Sequence, residues 1–122
     1  MKVVALNSSA RKDGNTAILL NFVLDELKKE GIQTELIQLA GKQIAGCRAC
    51  YKCFQNKDRR CSVKKDILND LIEKMENADG ILLGSPTYFS DVSANMRAFI
   101  ERCGLVARAN DYMFKRKVGA SV

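Results

Sequence analysis

The chain opens with the apolar run Lys2-Val-Val-Ala-Leu6, which passes directly into the polar stretch Asn7-Ser-Ser-Ala-Arg-Lys-Asp-Gly-Asn-Thr16. A short apolar run containing β-branched residues is typical of a buried strand. From Asn15 to about Glu30, apolar residues recur at helical spacing, and Gly31 follows in the position of a C-cap. The recurring residues are Ile18, Leu19, Phe22, Val23 and Leu27. This part of the sequence therefore predicts a strand, a polar turn and an amphipathic helix.

The same alternation continues to the end of the chain. Strands are predicted at residues 34–39, 80–84 and 117–122, and helices at residues 67–77 and from about Val92 onward. Strands that alternate with helices build a parallel sheet covered on both faces, so the fold class is α/β and residues 1–122 form a single domain. The last strand has no helix after it to cover the sheet, and we therefore expect the C-terminal part of the fold to be missing.

Composition narrows the range of functions. The chain has 122 residues, 47% of them hydrophobic and 28% charged, which is ordinary for a globular domain. It has no long apolar run, so we expect a cytoplasmic protein that does not enter a membrane. The net charge of +6 is spread over helices that also carry acidic residues, which argues against nucleic-acid binding. The basic residues near Cys61 are either a solvated loop or a docking patch for an acidic redox partner; they are Lys57, Arg59, Arg60, Lys64 and Lys65.

Residues 8–16, here termed the first loop, combine hydroxyl groups, an asparagine, an arginine and backbone N–H groups at the start of a helix. These groups are suited to binding a phosphate. The first loop lacks the Gly-Lys-Ser/Thr of the phosphate-binding loop (Walker A motif) of nucleoside triphosphatases. It also lacks the G-x-G-x-x-G of a dinucleotide-binding fold. A polar cap on the helix accounts for one or two of its residues but not for the whole run. The pattern favours a single terminal phosphate.

Residues 84–90, here termed the third loop, read Gly-Ser-Pro-Thr-Tyr-Phe-Ser. Aromatic side chains beside hydroxyl groups suit a flat heteroaromatic ring, although Tyr88 and Phe89 are also able to cover the edge of the sheet. Ligands of open parallel sheets bind at the carboxyl ends of the strands, where both loops are predicted to lie. Together the two loops favour a mononucleotide, and flavin mononucleotide (FMN) is the economical choice.

Four cysteines lie close together in residues 46–62, here termed the cysteine loop. Their spacing is C-x2-C-x2-C-x7-C, at Cys47, Cys50, Cys53 and Cys61. Four thiolates match the ligand set of a [4Fe-4S] cluster, although the usual bacterial ferredoxin spacing is not reproduced. Structural zinc is typically bound by two separate C-x2-C pairs, and disulfides require an oxidising compartment. Reduced thiols without a metal are a further alternative. The fifth cysteine, Cys103, lies on an apolar helical face and is predicted to belong to the core.

The order of these motifs resembles the flavodoxin-like NADPH-dependent FMN reductase family, and within it the iron-sulfur flavoproteins. The motifs that carry the resemblance are residues 7–16, Gly46-Cys47-x2-Cys50-x2-Cys53 with Cys61, residues 84–89, and Ser93-Ala94-x2-Arg97-Ala98-Phe99-Ile100-x-Arg102. The resemblance implies a flavodoxin-like three-layer αβα sandwich. It also implies that Ser9, Arg11, Asn15 and Thr16 hold the FMN phosphate, that Pro86, Thr87, Tyr88 and Phe89 line the flavin, and that the four clustered cysteines hold a [4Fe-4S] cluster.

The resemblance further implies a flavin-dependent oxidoreductase that exchanges electrons with NAD(P)H or ferredoxin and with a small electron acceptor, and that self-associates. An FMN or quinone reductase without a cluster and a non-enzymatic electron carrier are the alternatives. A zinc- or thiol-based sensor that has lost flavin is a third. Ser8-Ser9-Ala10 stands where relatives often have Gly-Ser-Pro, and family members continue beyond the equivalent of Val122.

Overall fold

The alternation of strands and helices is present in a computed structural model that describes residues 1–122. Six strands and four helices follow one another along the chain. They are β1 (Lys2–Asn7), α1 (Asn15–Lys29), β2 (Gln33–Gln38), α2 (Lys52–Asn56), α3 (Leu68–Glu76), β3 (Gly80–Gly84), β4 (Thr87–Phe89), β5 (Asp91–Val92), α4 (Ala94–Ala109) and β6 (Val118–Ser121). The predicted strands and long helices are confirmed to within about two residues at their ends.

Four of the strands form a parallel sheet with the order β2-β1-β3-β6. The chain passes from β1 to β2 on one side and then returns to β3 on the other side of β1. The strand order therefore reverses between β1 and β3, which in an open parallel sheet is the position where ligands bind. The loops that leave the carboxyl ends of β1 and β3 meet at this point.

The two faces of the sheet are covered unequally. The larger core of 16 buried residues joins Val4 and Leu6 of β1 to α3 and α4, whereas the smaller core of 4 joins Ala5 and Leu82 to Leu20 and Leu24 of α1. Successive residues of a strand point to opposite faces, which explains why neighbouring residues of β1 belong to different cores. The α/β class and the three-layer αβα arrangement are both confirmed.

Most of the apolar residues that predicted α1 do not lie in its core face. Ile18, Leu19, Phe22 and Val23 are exposed, and the buried stripe consists instead of Ala17, Leu20 and Leu24. The exposed side of α1 borders an apolar groove of about 230 Å³ between α1, β3 and β6. The helical periodicity was therefore right about the element, but the helix has two apolar sides, of which only one is covered here.

Two short elements were not predicted. The third loop was expected to be irregular, but β4 and β5 form an antiparallel hairpin that pairs Thr87 with Val92. As a result α4 begins at Ala94 rather than at about Val92, with Ser93 as its N-cap. The cysteine loop contains the five-residue helix α2. No helix of the structure combines the length and the apolar character needed to cross a bilayer.

Candidate functional site

The turn of the first loop is closed by hydrogen bonds between near neighbours. The Ser9 N–H donates to Asn7 Oδ1 at 3.0 Å, and the Arg11 N–H donates to Ser9 Oγ at 3.1 Å. Short polar side chains that accept from the backbone two residues later are typical of tight turns. The side chains of Asn7 and Ser9 are buried, so they shape the loop from beneath.

Ser8 joins the first loop to the end of β3. Its N–H and its Oγ both donate to the Gly84 carbonyl, at 2.9 and 3.1 Å. The Ser93 hydroxyl, at the N-cap of α4, donates to Ser8 Oγ at 2.8 Å. The first loop, the third loop and the start of α4 are thus held together by buried hydroxyl groups, as expected for loops that leave neighbouring strands.

Tyr88 connects the two loops at the surface. Its hydroxyl accepts from the Ala10 N–H at 3.0 Å, and hydrogen bonds with Ala10 and Ser9, together with the charge of Arg11, lower the pKa of Tyr88. The resemblance placed Tyr88 against the flavin ring, whereas in this structure its oxygen lies on the first loop. The Tyr88 hydroxyl oxygen therefore accepts from an N–H group of the loop that is predicted to bind phosphate.

The other predicted flavin-site residues divide into buried and exposed groups. Ser9 and Thr16 are buried, and Pro86 is half-buried. The exposed members are Arg11, Asn15, Thr87, Tyr88 and Phe89. Phe89 is 89% exposed, an unusual position for an aromatic ring that has no cover. The buried side chains support the loops from within, and the exposed side chains are accessible to a ligand.

The start of α1 has the features of an anion site. Gly14 is its N-cap and supplies no side-chain hydrogen bond to the first turn, and the first turn contains no acidic residue. The N–H groups of a first helical turn have no partner within the helix and carry partial positive charge. In addition, the buried Asn7 Nδ2 has no hydrogen-bond partner. These observations fit a phosphate at the first loop.

The cysteine loop has an irregular backbone. Ala49 and Tyr51, on either side of Cys50, have φ values of 50° and 54°, and Lys57 and Arg59 are also in the left-handed region. Such conformations are uncommon for residues other than glycine and cluster at functional sites. They turn the chain so that the side chains of Cys47, Cys50, Cys53 and Cys61 line one pocket.

Three of the four sulfurs have polar neighbours in this pocket. The Ala49 N–H donates to Cys47 Sγ at 3.4 Å, Cys50 Sγ lies 3.2 Å from Ser62 Oγ, and Arg102 Nη2 donates to Cys61 Sγ at 3.4 Å. The hydrogen bond with Ser62 lowers the pKa of Cys50, whereas burial raises the pKa of Cys53. Exposure and environment therefore differ among the four thiols.

The four thiols share a pocket but do not converge on a single point. No three ligating side chains are placed to hold one metal ion, and the cavity between the thiols, about 20 Å³, has room for about one water molecule. A structural zinc site needs four sulfurs about 2.3 Å from one ion. A [4Fe-4S] cluster instead binds each thiolate to its own iron. The donor set of four thiolates therefore fits an iron-sulfur cluster.

The cysteine loop is held by residues that were not predicted from the sequence. Glu101 accepts from the Cys47 N–H at 2.8 Å, and Asn95 accepts from the Ile44 N–H at 3.2 Å. Asn69 exchanges two hydrogen bonds with the backbone of Cys61, at 2.8 and 2.9 Å. Asp66 accepts from the Ala45 N–H at 3.2 Å. The only sequence signal was the helix motif that ends at Arg102, which gave no role to these side chains.

Helix α4 connects the two candidate sites. Its N-cap, Ser93, contacts the first loop, and Arg102 contacts Cys61. The nine residue steps from Ser93 to Arg102 correspond to about 13.5 Å along a helix. The flavin-type loops and the cysteine pocket are therefore attached to one rigid element.

Cys103, on the same helix, lies in the core as predicted. It is 6% exposed, and burial raises its pKa to about 12. It does not line the cysteine pocket.

The basic residues near Cys61 are partly neutralised. Arg59 and Arg60 both form ion pairs with Glu76, at 2.6 and 3.2 Å. Lys57 and Arg59 line an open cleft together with Lys115 and Arg116. The docking of an acidic redox partner at these residues stays a prediction.

The strand order and the αβα layers define a flavodoxin-like α/β domain. Several solved structures share this fold. An NAD(P)H:quinone oxidoreductase from Methanothermobacter marburgensis has a TM-score of 0.67 and 16% identity over 84% of this chain and 52% of its own. RosB, solved with bound 8-demethyl-8-formylriboflavin-5′-phosphate, has a TM-score of 0.68 and 17% identity over 99% of this chain and 50% of its own.

The chain belongs to the NADPH-dependent FMN reductase family, whose model matches residues 1–122. Its relatives include an iron-sulfur flavoprotein from Methanocaldococcus jannaschii, 36% identical over 100% of this chain and 61% of the relative. An iron-sulfur flavoprotein from Archaeoglobus fulgidus is 38% identical over 100% of this chain and 58% of the relative. The chain thus spans about three fifths of the length of these curated relatives. The resemblance seen in the sequence is confirmed at the level of the family.

Proposed function

We propose that the protein is an FMN-dependent oxidoreductase of the iron-sulfur flavoprotein type, in which FMN exchanges electrons with a [4Fe-4S] cluster. One observation carries this proposal: the first and third loops meet where the strand order reverses, and α4 joins them to the pocket that the four cysteines line. The names of the relatives, iron-sulfur flavoproteins, support the same conclusion.

The first loop would hold the phosphate of FMN. Ser9, Arg11, Asn15 and Thr16 are assigned to this role: Arg11 and Asn15 are exposed at the start of α1, and Ser9 and Thr16 are buried and shape the turn. The Arg11 guanidinium would donate to phosphate oxygens, and the free N–H groups of the first turn would do the same. Because the Ala10 N–H now donates to Tyr88, a phosphate that uses this N–H must displace the Tyr88 hydroxyl.

The third loop would hold the flavin ring. Pro86, Thr87, Tyr88 and Phe89 are assigned to this role, and the last three are exposed on the hairpin strand β4. Aromatic faces stack on a flat ring, and hydroxyl groups orient it. FMN, when bound, supplies the redox chemistry, and the protein binds the ring, orients it and excludes water.

Cys47, Cys50, Cys53 and Cys61 would bind the cluster. The ends of their loop are fixed by side chains of α4 and α3, Glu101 and Asn69. Low-potential electron donors such as ferredoxin suit a cluster that accepts one electron at a time, and NAD(P)H suits FMN. The exposed aromatic residues of β4 also support a homo-oligomer in which a second copy covers the flavin.

The test is an anaerobic visible spectrum of the purified protein, read with its iron and acid-labile sulfide content. We expect broad brown absorbance beneath the flavin bands and four iron atoms per chain. Replacement of Cys50 by Ser should remove most of the iron and leave the flavin, whereas Cys103→Ala, which alters a cysteine outside the pocket, should retain both. A yellow protein without iron would contradict the cluster assignment, and a colourless protein would contradict the whole proposal.

A second function is favoured by the family itself, NADPH-dependent FMN reductase, whose model matches residues 1–122. If the thiols bind no cluster, the protein is an NAD(P)H-dependent FMN or quinone reductase in which the four thiols take no part. In that case NAD(P)H would reduce the flavin at full rate in a variant in which all four loop cysteines are replaced by Ser. A flavodoxin-like carrier, in contrast, would not oxidise NAD(P)H at a useful rate.

A further inference from the structure

Arg102 is a buried charge beside the cysteine pocket. It lies on α4, is 2% exposed, and lines the same pocket as the four thiols. Moving a guanidinium out of water costs several kcal/mol unless it is paired and hydrogen-bonded. A residue that only needed to pack against the core would be apolar, so the buried charge calls for an explanation.

The guanidinium of Arg102 joins the two ends of the cysteine loop. Nη1 donates to the Ala45 carbonyl at 3.0 Å and forms an ion pair with Asp66. Nη2 donates to the Val63 carbonyl at 3.3 Å and to Asp66 Oδ1 at 3.3 Å. An arginine guanidinium remains protonated in proteins. The side chain is therefore cationic.

Arg102 also contacts one of the clustered thiols, because its Nη2 donates to Cys61 Sγ at 3.4 Å. The other polar neighbours of the loop sulfurs, the Ala49 N–H and the Ser62 hydroxyl, are neutral groups. Cys61 is thus the thiol that receives a hydrogen bond from a cation. Asp66, which is bonded to both terminal nitrogens of the guanidinium, supplies the counter-charge.

Hydrogen bonds to ligand sulfurs and nearby charges adjust the reduction potential of an iron-sulfur centre. One-electron reduction adds one negative charge to the centre and its thiolates. A cationic N–H donor stabilises that added charge, whereas a carboxylate nearby opposes it. Arg102 and Asp66 therefore act on the potential in opposite directions.

We propose that Arg102 is a positioning residue that raises the reduction potential of a cluster bound by Cys61, and that Asp66 limits this rise. The inference rests on the cluster of the proposed function. It assigns to the buried ion pair a role in setting the potential at which the centre accepts its electron, in addition to holding the loop.

The experiment is an EPR-monitored redox titration of the iron-loaded protein at fixed pH, with dithionite as reductant and the flavin midpoint as an internal reference. Asp66→Asn should make the cluster midpoint more positive. Arg102→Gln should make it more negative. The double variant Arg102→Gln/Asp66→Asn avoids leaving a buried charge unpaired. For the double variant we expect a midpoint about 59 mV more negative than that of the wild type. At the wild-type midpoint potential, its ratio of reduced to oxidised cluster would then be about tenfold lower.

Arg108→Gln is the matched control, because Arg108 is exposed on the same helix and contacts none of the sulfurs. It should keep the wild-type midpoint. A merely structural role for the pair would lower iron content in all three variants of the pair without separating their midpoints. Opposite shifts for Asp66→Asn and Arg102→Gln, with an unmoved flavin midpoint, are the result that a structural role does not produce.

The outcomes separate this inference from the proposed function. Wild-type protein without iron overturns both. Iron-loaded wild-type and variant proteins that share one midpoint overturn the role of Arg102 alone. A negative shift for Asp66→Asn also overturns it. If the variants that lack Arg102 take up no iron, the sign of the Asp66→Asn shift decides the question.

Discussion

The first loop and the cysteine loop follow neighbouring strands of one sheet, but they are held in different ways. In the first loop, the Ser9 N–H bonds to Asn7 and the Arg11 N–H to Ser9, so much of its shape comes from residues two positions apart. In the cysteine loop, the bonds that fix its two ends come from distant side chains, including Glu101, 54 residues after Cys47. The first loop combines these local bonds with bonds to the third loop, whereas the ends of the cysteine loop depend on side chains of α3 and α4.

The largest expected effect tests the supports of the cysteine loop. Asp66→Ala leaves the buried Arg102 guanidinium without its carboxylate and should lower the free energy of unfolding by about 3–5 kcal/mol. Urea unfolding followed by circular dichroism measures this change. Asp25→Ala removes the carboxylate of an exposed pair on α1 and should cost less than about 0.5 kcal/mol. Equal effects of the two substitutions would mean that the buried pair is not a support.

The second test addresses the side chains of the first loop. Arg11→Ala and Asn15→Ala should each raise the Kd for FMN by about 10- to 150-fold, because hydrogen bonds to charged groups contribute about 1.5–3 kcal/mol. Both side chains are exposed, so stability without FMN should hardly change. Flavin fluorescence titration gives the Kd, and Lys12→Ala, an exposed change in the same loop, is the control. Unchanged FMN affinity in both variants would remove the phosphate from this loop.

A third test concerns the contact between the first loop, β3 and α1. A Cβ atom at Gly84 would lie 2.5 Å from Leu20 Cδ1 and 3.0 Å from Thr16 Cγ2. Gly84→Ala should therefore destabilise the protein by about 1–3 kcal/mol through overpacking. Gly104→Ala is a control of opposite sign, since Gly104 lies in α4 with open space around it and should gain about 0.5–1 kcal/mol. Thermal unfolding of the two variants measures both changes, and a neutral Gly84→Ala would contradict the close packing.

The smallest effect is a difference in acid sensitivity between the loops. Burial opposes the charge of Asp66, but Arg102 and backbone N–H groups outweigh it and lower the pKa of Asp66 below 3.8. The stability that this carboxylate contributes is therefore complete above about pH 3.8 and is lost as the pH falls through the lowered value. The first loop is held by neutral groups.

Hydrogen exchange at several pH values, corrected for intrinsic rates, measures this difference. Residues 45–66 should lose protection in acid before residues 7–16, and Asp66→Asn should remove the pH dependence of the cysteine loop. Simultaneous loss of protection in both regions would show that Asp66 does not control the local stability of its loop.

The contrast between the two loops also explains what the sequence could predict. The strands, the three long helices and the polar turn after β1 follow from local patterns: apolar runs, helical periodicity and a polar stretch at a helix start. The covered face of α1 could not be predicted, because Ile18 and Phe22 are as apolar as Leu20 and Leu24 and only packing against the sheet distinguishes them. Asn69, Asn95 and Glu101 likewise gave no signal, since their roles arise from contacts across the fold.

The β4–β5 hairpin was missed for a related reason. Thr87–Phe89 is three residues long and its pairing with Asp91 and Val92 turns at Ser90, whose φ is 56°. So short a strand has no periodicity to read, and serine is not a residue that marks a left-handed turn. The aromatic content of the third loop, in contrast, was visible and indicated a ligand-facing surface.

Because Cys103 is buried, the rate at which it is alkylated reports how often the core of the protein opens. A thiol in the core with a pKa of about 12 has almost no thiolate at neutral pH and does not react with alkylating reagents while the fold is intact. The four loop cysteines are exposed or half-buried, so a metal-free native molecule should consume four equivalents of reagent before Cys103 reacts, with Cys50 first and Cys53 slower. The fifth equivalent then reports the rate at which the core opens, and no label has to be introduced to measure it.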